Sequence, residues 1–493
     1  MEADILPRPM ALAPVDYAVI ALYLAAITLF GSWFAKFQKT TRDYFLAGRT
    51  APWWAICFTI VATETSTLSF IGVPALAYAG TGSMAFLQLA LGYVIGRVLV
   101  SILFIPAYFR GDLVTSYELL QRRFGTPVKT VAAGIFLITR SLADGIRLFA
   151  TALVIAVVTG VPVTWTVLVL GGAMIVYTVR GGASAVIWTD VVQMFVYIAG
   201  AVVVFGALLA RIPGGWTEVV ATGLAAGKFT VLNLSTDPTT IYTLWAGLVG
   251  GVALTLATHG TDQFLVQRLL AARSARAASV GLITSGVLVF VQFALFLVIG
   301  VMLYVYYQHV PPPALGRSDE ILPAFVAQAL TGGAAGFIVA AIVAAALSPS
   351  VNAMAAATVN DFYKQFWHPD ADDATLLRVA RRATIGWGVV QVGVAVGAQW
   401  MARSVLDNGL AVLSLASGPV LGAFLVGVLT TRVRTGAMLA GMAAGIVVLA
   451  VVWSRGSVAW TWYAAVGAAT TAAVAVIAQA VMTGKSRNMR NMR

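Results

Sequence analysis

A chain of 493 residues that is 60% hydrophobic and only 10% charged, with a mean hydropathy of +0.90, has too little polar surface to wrap a water-soluble core, so lipid must be its main solvent. A net charge of +12 would suggest nucleic acid in a soluble protein, but in a membrane protein its meaning lies in which loops carry it. The single cysteine, Cys57, excludes a disulfide framework and a cysteine metal site.

A spanning helix needs roughly 20 mainly apolar residues. Thirteen such stretches follow one another, at about 14–35, 51–79, 84–108, 129–158, 161–179, 186–210, 240–267, 279–306, 323–360, 378–400, 406–429, 435–454 and 458–482. The segment before the first lacks a basic n-region and a small-residue cleavage site, so that stretch is expected to be a retained helix. The second, FTIVATETSTLSFIGVPALAYAG (58–80), has Thr63, Glu64, Thr65, Ser66 and Thr67 at its middle, then Gly72 and Pro74. The seventh holds Gly250 and Gly251, then Thr258, His259, Gly260, Thr261 and Asp262, and its Ala257-Thr258-His259 echoes Ala62-Thr63-Glu64. Polar and helix-breaking residues at membrane depth are tolerated where the backbone is buried in protein or lines a cavity, so both stretches are predicted to be broken helices.

If 51–210 and 240–429 are two five-helix units, the first starts from the cytoplasm and the second from outside, which is an inverted repeat. Interrupted first helices at corresponding places in two halves mark a transporter's binding site. Small residues that let helices pack closely are the competing reading of each cluster. The expected architecture is an all-α membrane protein of about 13 transmembrane helices. Residues 1–50 form a peripheral helix and loop, 211–239 a polar extracytoplasmic loop, and 430–493 two C-terminal helices with a basic tail. Most of the 31 Lys and Arg fall in alternate loops, among them Lys36, Arg42, Arg122, Lys129, Arg268, Arg273, Arg381 and Arg434. The positive-inside rule then puts the N-terminus outside and the C-terminus in the cytoplasm.

Seven ionisable residues lie inside spans: Glu64, Arg97, Arg140, Asp144, Arg147, Asp190 and Asp262. Such groups are expensive in lipid and functional by default. Arg140, Asp144 and Arg147 share one helical face at i, i+4 and i+7. Arg140 lies eleven residues beyond Lys129, or roughly 16 Å of helix rise, too deep to snorkel. One aspartate between two arginines leaves a positive charge uncompensated, which suits a bidentate grip on a substrate carboxylate. A buried ion network closed by Glu64 or another acid is the alternative. Glu64 fits three roles: cation ligand, protonatable coupling group, or partner of Arg97 or of an arginine on the fourth span. His259 either touches substrate or satisfies backbone at the break.

Five segments in order, DYFLAGR (43–49), GGASAVIWTDVVQ (181–193), TDQFLVQRLLAARS (261–274), VNDFYK (359–364) and GPVLGAFLVGVLTTRVRTGAMLAGMAAG (418–445), resemble the sodium:solute symporter family with its LeuT-type inverted-repeat fold. The resemblance implies secondary transport, with the fourth span lining the central cavity. It also implies a sodium site at the carbonyls of Ala62, Thr65 and Ile342, the Thr65 hydroxyl and the nearby carboxylate of Asp190. The two hydroxyl residues that usually complete such a site fall here on Ala345 and Ala346. Pro349 removes the hydrogen bond to the Ala345 carbonyl and so frees that oxygen, with Ser348 and Ser350 beside it. Sodium-coupled symport is the first reading. A proton-coupled or uncoupled carrier, titrating at Glu64 or Asp190, is the alternative.

Sugar-carrying relatives have a gating tyrosine and a tryptophan where this chain has Thr258-His259, so an organic acid or amino acid is favoured. No cluster of nucleophile, base or metal ligands suggests an enzyme. The short tail after the last span speaks against a sensor with a signalling domain. No cofactor is expected beyond transported sodium, or a proton. The expected partners are an anionic or zwitterionic small molecule and lipid, with no nucleic acid and no obligate protein partner.

Overall fold

The structure, a computed structural model, describes residues 13–111, 113–312, 318–330, 332–346, 350–400 and 405–491. Among the described residues the regular elements are helical, joined by one isolated bridge between Ala51 and Ala272. The principal helices are α1 (Pro14–Trp33), α2 (Trp53–Glu64), α3 (Thr67–Tyr78), α4 (Phe86–Leu103), α5 (Thr126–Thr159), α6 (Val163–Leu209), α7 (Val252–Gly260) and α8 (Gln263–Leu270). They continue with α9 (Ala275–His309), α10 (Ala334–Ala346), α11 (Val351–Ala357), α12 (Asp373–Gly397), α13 (Val405–Leu429), α14 (Thr435–Arg455) and α15 (Tyr463–Asn491).

Apolar side chains such as Leu22, Leu29, Ile102, Val169 and Val291 point outward, while arginines and aspartates are buried. This suits a chain whose solvent is hydrocarbon. Six of the described helices are long and apolar enough to cross a membrane, and seven if α2 and α3 count as one bent span. The thirteen expected stretches do not all return as separate, unbroken helices. Those at 161–179 and 186–210 merge into α6, whose 47 residues turn at Gly182 (φ 55°, ψ −151°). The backbone there is open to glycine, and a Cβ would sit 2.7 Å from the Tyr44 carbonyl. The loop 211–239 is not all irregular, since Gly215–Ala225 is helical.

The first break falls where the polar run predicts. Ser66 N turns back to Glu64 O at 3.0 Å, and Ser69 N and Phe70 N both go to Ser66 O, so the usual i+4 donors desert the carbonyls of Ala62 and Thr65. The helix axes on either side differ by 59°. The second break lies slightly later than expected, at Thr261–Asp262. Thr258 and His259 belong to the last turn of α7 because Thr261 N and Asp262 N both reach Ala257 O at 3.1 Å, and Asp262 Oδ1 then caps α8 at Phe264 N, 2.9 Å away. Just before α7, the helical turn Ala246–Gly251 lies so close to α4 that a Cβ on Gly92 would meet the Gly247 carbonyl at 2.0 Å.

Candidate functional site

The first break and the residues on either side of the second face one cavity of about 160 Å³. Thr63, Glu64, Ser66 and Ser69 line it from the first break, Arg140, Asp144 and Arg147 from α5, and Thr255, Thr258, His259 and Phe264 from α7 and α8. Val73, Phe86, Tyr93 and Phe293 form an apolar wall that runs away from the basic loops.

Glu64 ends α2, where its charge opposes the helix dipole. Arg97 of α4, fully buried, supplies the compensating charge as its ion-pair partner. The same guanidinium lies 3.2 Å from His259 Nε2. Arginine only donates, so Nε2 accepts and the ring proton sits on Nδ1, 2.9 Å from the Thr258 hydroxyl, which donates to Leu254 O at 2.9 Å. His259 is therefore held by Arg97 and Thr258, not spent on backbone at the break.

The face of α5 forms a second network. Arg140 pairs with Asp262 and lies 3.4 Å from Asp144, and Arg147 lies 3.7 Å from the same Asp144 oxygen. Arg147 also donates to the Thr63 carbonyl at 3.1 Å, and its Nε has no protein partner. The uncompensated positive charge expected on this face is therefore absent. Asp262 balances it, brought across by the cap that starts α8. Glu64 closes a different pair.

Asp190 is not free to serve a cation alone. Its Oδ2 accepts from Thr59 at 2.5 Å, from Thr63 at 3.4 Å and from Arg268 at 3.1 Å. Arg268, counted above with the basic loops, is 3% exposed, because α8 re-enters the protein after the break. Lys129 is likewise buried, 3.2 Å from Asp361. Four arginines (97, 140, 147, 268) thus meet four acids (64, 144, 190, 262) around the site.

Near the expected sodium position, the Thr65 hydroxyl accepts from Gln292 Nε2 at 2.6 Å, and the Ile342 carbonyl accepts from Thr67 at 3.1 Å. Ala345 and Ala346 lie at the end of α10, and their side chains, with Ser348 and Pro349, fall outside the described residues. The sequence reading gave Gln292 and Thr151 no role, and it placed Thr67 only in the polar run and Arg268 only in a basic loop. The available signal was a glutamine or threonine in an otherwise apolar run.

The model of the sodium:solute symporter family matches residues 44–445. The chain is 31% identical over 445 residues to the human sodium/iodide cotransporter, covering 87% of this chain and 68% of that protein. It is 30% identical to the sodium/sialic acid symporter SiaT of Proteus mirabilis, covering 88% of each. A solved structure of a Na+-coupled sialic acid symporter in a substrate-bound outward-open state superposes with a TM-score of 0.88 at 28% identity, covering 95% of this chain and 98% of that one.

Proposed function

The chain belongs to the sodium:solute symporter family, and from that membership we propose that it couples sodium entry to uptake of a small carboxylate-bearing solute, an organic acid or amino acid, by alternating access. The matched breaks at 65–66 and 261–262 support two inverted repeats at 51–210 and 240–429 within about 13 spans, the N-terminus outside and the C-terminus cytoplasmic. The outward-open relative supports reading the central cavity as facing outside.

The observation that carries the substrate class is Arg147, a guanidinium on the cavity wall, bonded to the Thr63 carbonyl at the break and with its Nε buried and unpartnered. The two relatives above are named for iodide and sialic acid, both anions. Coupling follows from charge balance. A site with equal numbers of buried acids and arginines takes up a lone anion at high electrostatic cost, and a co-bound sodium ion removes that cost. The carbonyls of Ala62, Thr65 and Ile342 are the cation's ligands in this reading, with Asp190 as a nearby charge.

The test is uptake into proteoliposomes with sodium and proton gradients imposed separately. Carboxylate uptake should follow sodium, and Arg147→Gln should weaken it by roughly 10- to 150-fold, the worth of a charge-assisted hydrogen bond. Uptake that ignores sodium, follows the pH gradient and is abolished by Glu64→Gln would replace sodium coupling with proton coupling.

A further inference from the structure

Beyond the central cavity lies a smaller void of about 20 Å³, lined by Tyr117, Phe136, Thr139, Thr261 and Asp262. Along α5 the large cavity touches residues 140–147 and the small one 135–139, so the small void lies toward the basic loop at 110–129. Between the two stands the Arg140–Asp262 ion pair, Arg140 lining the large cavity and Asp262 the small one. We propose that this pair is the specificity-determining barrier on the path to the cytoplasm, opened when a substrate carboxylate takes Arg140 from Asp262. The inference rests on the carboxylate reading above and assigns the step at which the carboxylate is demanded.

Arg140 is built to change partners. Its Nε is buried without a partner, its guanidinium also stacks on the Phe264 ring at 4.6 Å, and Asp144 at 3.4 Å is shared with Arg147. A carboxylate arriving from the large cavity therefore finds donors on Arg140 and Arg147 without stranding a positive charge. Asp262 is equally prepared for release. Its Oδ1 already accepts from Phe264 N at 2.9 Å at the start of α8, so the freed carboxylate keeps a backbone hydrogen bond. A neutral solute cannot compete with a buried carboxylate for a guanidinium, and leaves the barrier shut.

The experiment uses full-length protein in liposomes and a probe panel of sialic acid, lactate and alanine, each against its primary amide. Asp262→Asn should raise sodium leak without substrate by roughly tenfold, as expected if the pair holds the closed state by a modest margin, and should level the uptake of carboxylate and amide. A second variant leaves the pair intact. Thr139→Cys places a thiol in the small void of a protein whose one native cysteine is buried. An impermeant thiol reagent on the cytoplasmic side should label it several-fold faster with sodium plus carboxylate than with sodium plus amide, since only the carboxylate shifts the gate population. Wild-type leak and discrimination in Asp262→Asn, or equal labelling of Thr139→Cys by both probes, overturns the barrier. A wild-type protein that takes up no panel carboxylate in preference to its amide overturns the carboxylate reading itself.

Discussion

Thr67 donates its hydroxyl to the Ile342 carbonyl at 3.1 Å, fastening the first turn of α3 to α10 beside the break. Since that proton is committed, the Thr151 hydroxyl, 2.7 Å away, is the donor to Thr67, and it also lies 3.0 Å from the Arg147 carbonyl. A chain of two hydroxyls thus joins α5, the helix that carries Arg147, to a carbonyl proposed for sodium, the one Thr151 proton going to Thr67 and not to the Arg147 carbonyl. Thr67→Val keeps the shape and removes the chain. At about 1 kcal/mol for a lost hydrogen bond, half-saturating sodium should rise by roughly fivefold. The check is uptake against sodium concentration, and an unchanged curve separates Thr67 from the cation.

The Glu64–Arg97 pair predicts a stability effect that depends on which partner is lost. Arg97 is 0% exposed and Glu64 15%. Removing one member of a buried pair costs about 3–5 kcal/mol because the other charge is left behind, whereas neutralising both costs less. Arg97→Gln should therefore lower the melting temperature in detergent more than the double Glu64→Gln/Arg97→Gln variant does. Additive losses would show that the two charges do not depend on each other.

The first break was legible because five consecutive polar residues at membrane depth, followed by Gly72 and Pro74, have no other good use. The second was legible to within a few residues. Its exact place depends on which backbone N–H Asp262 caps, a choice made by local geometry. The charged face of α5 could be read from spacing, but its partners could not. Asp262 lies 122 positions from Arg140, and nothing in a helical repeat says which acid will cross to it. Arg268 was misplaced for a related reason. Judged by hydropathy it ends a span, yet α8 is a short helix that turns inward and delivers it to Asp190. Gln292 and Thr65 are 227 positions apart, and only the fold brings them to 2.6 Å.

The missing hydroxyl pair at Ala345 and Ala346 makes its own prediction. If the family's sodium position is kept in this chain, Ala346→Ser adds an oxygen ligand where the resemblance implies one. Half-saturating sodium should fall by roughly fivefold, about 1 kcal/mol for one ligand of this kind. Sodium binding followed by intrinsic tryptophan fluorescence checks this without transport. No change would mean that the cation of this chain sits elsewhere.

Lys228, just after the short helix Gly215–Ala225, is 1% exposed, and its ammonium donates to three carbonyls at the end of α3: Tyr78 at 3.1 Å, Ala79 at 3.0 Å and Gly80 at 2.7 Å. It also lies 4.4 Å over the Tyr304 ring. These carbonyls sit where a helix leaves its last acceptors unsatisfied and its dipole is negative, and an ammonium with three N–H donors answers both. A planar guanidinium does not direct three donors to one point, so arginine is a poor replacement. Lys228→Gln should cost about 2 kcal/mol, the net worth of hydrogen bonds to one charge, seen as a lower melting temperature, and Lys228→Arg should recover little of it. Because α3 is the second half of the broken helix, both variants should also slow uptake. Full stability and uptake in Lys228→Arg would show that a positive charge alone suffices at this helix end, and that the threefold match of donors to carbonyls carries no weight.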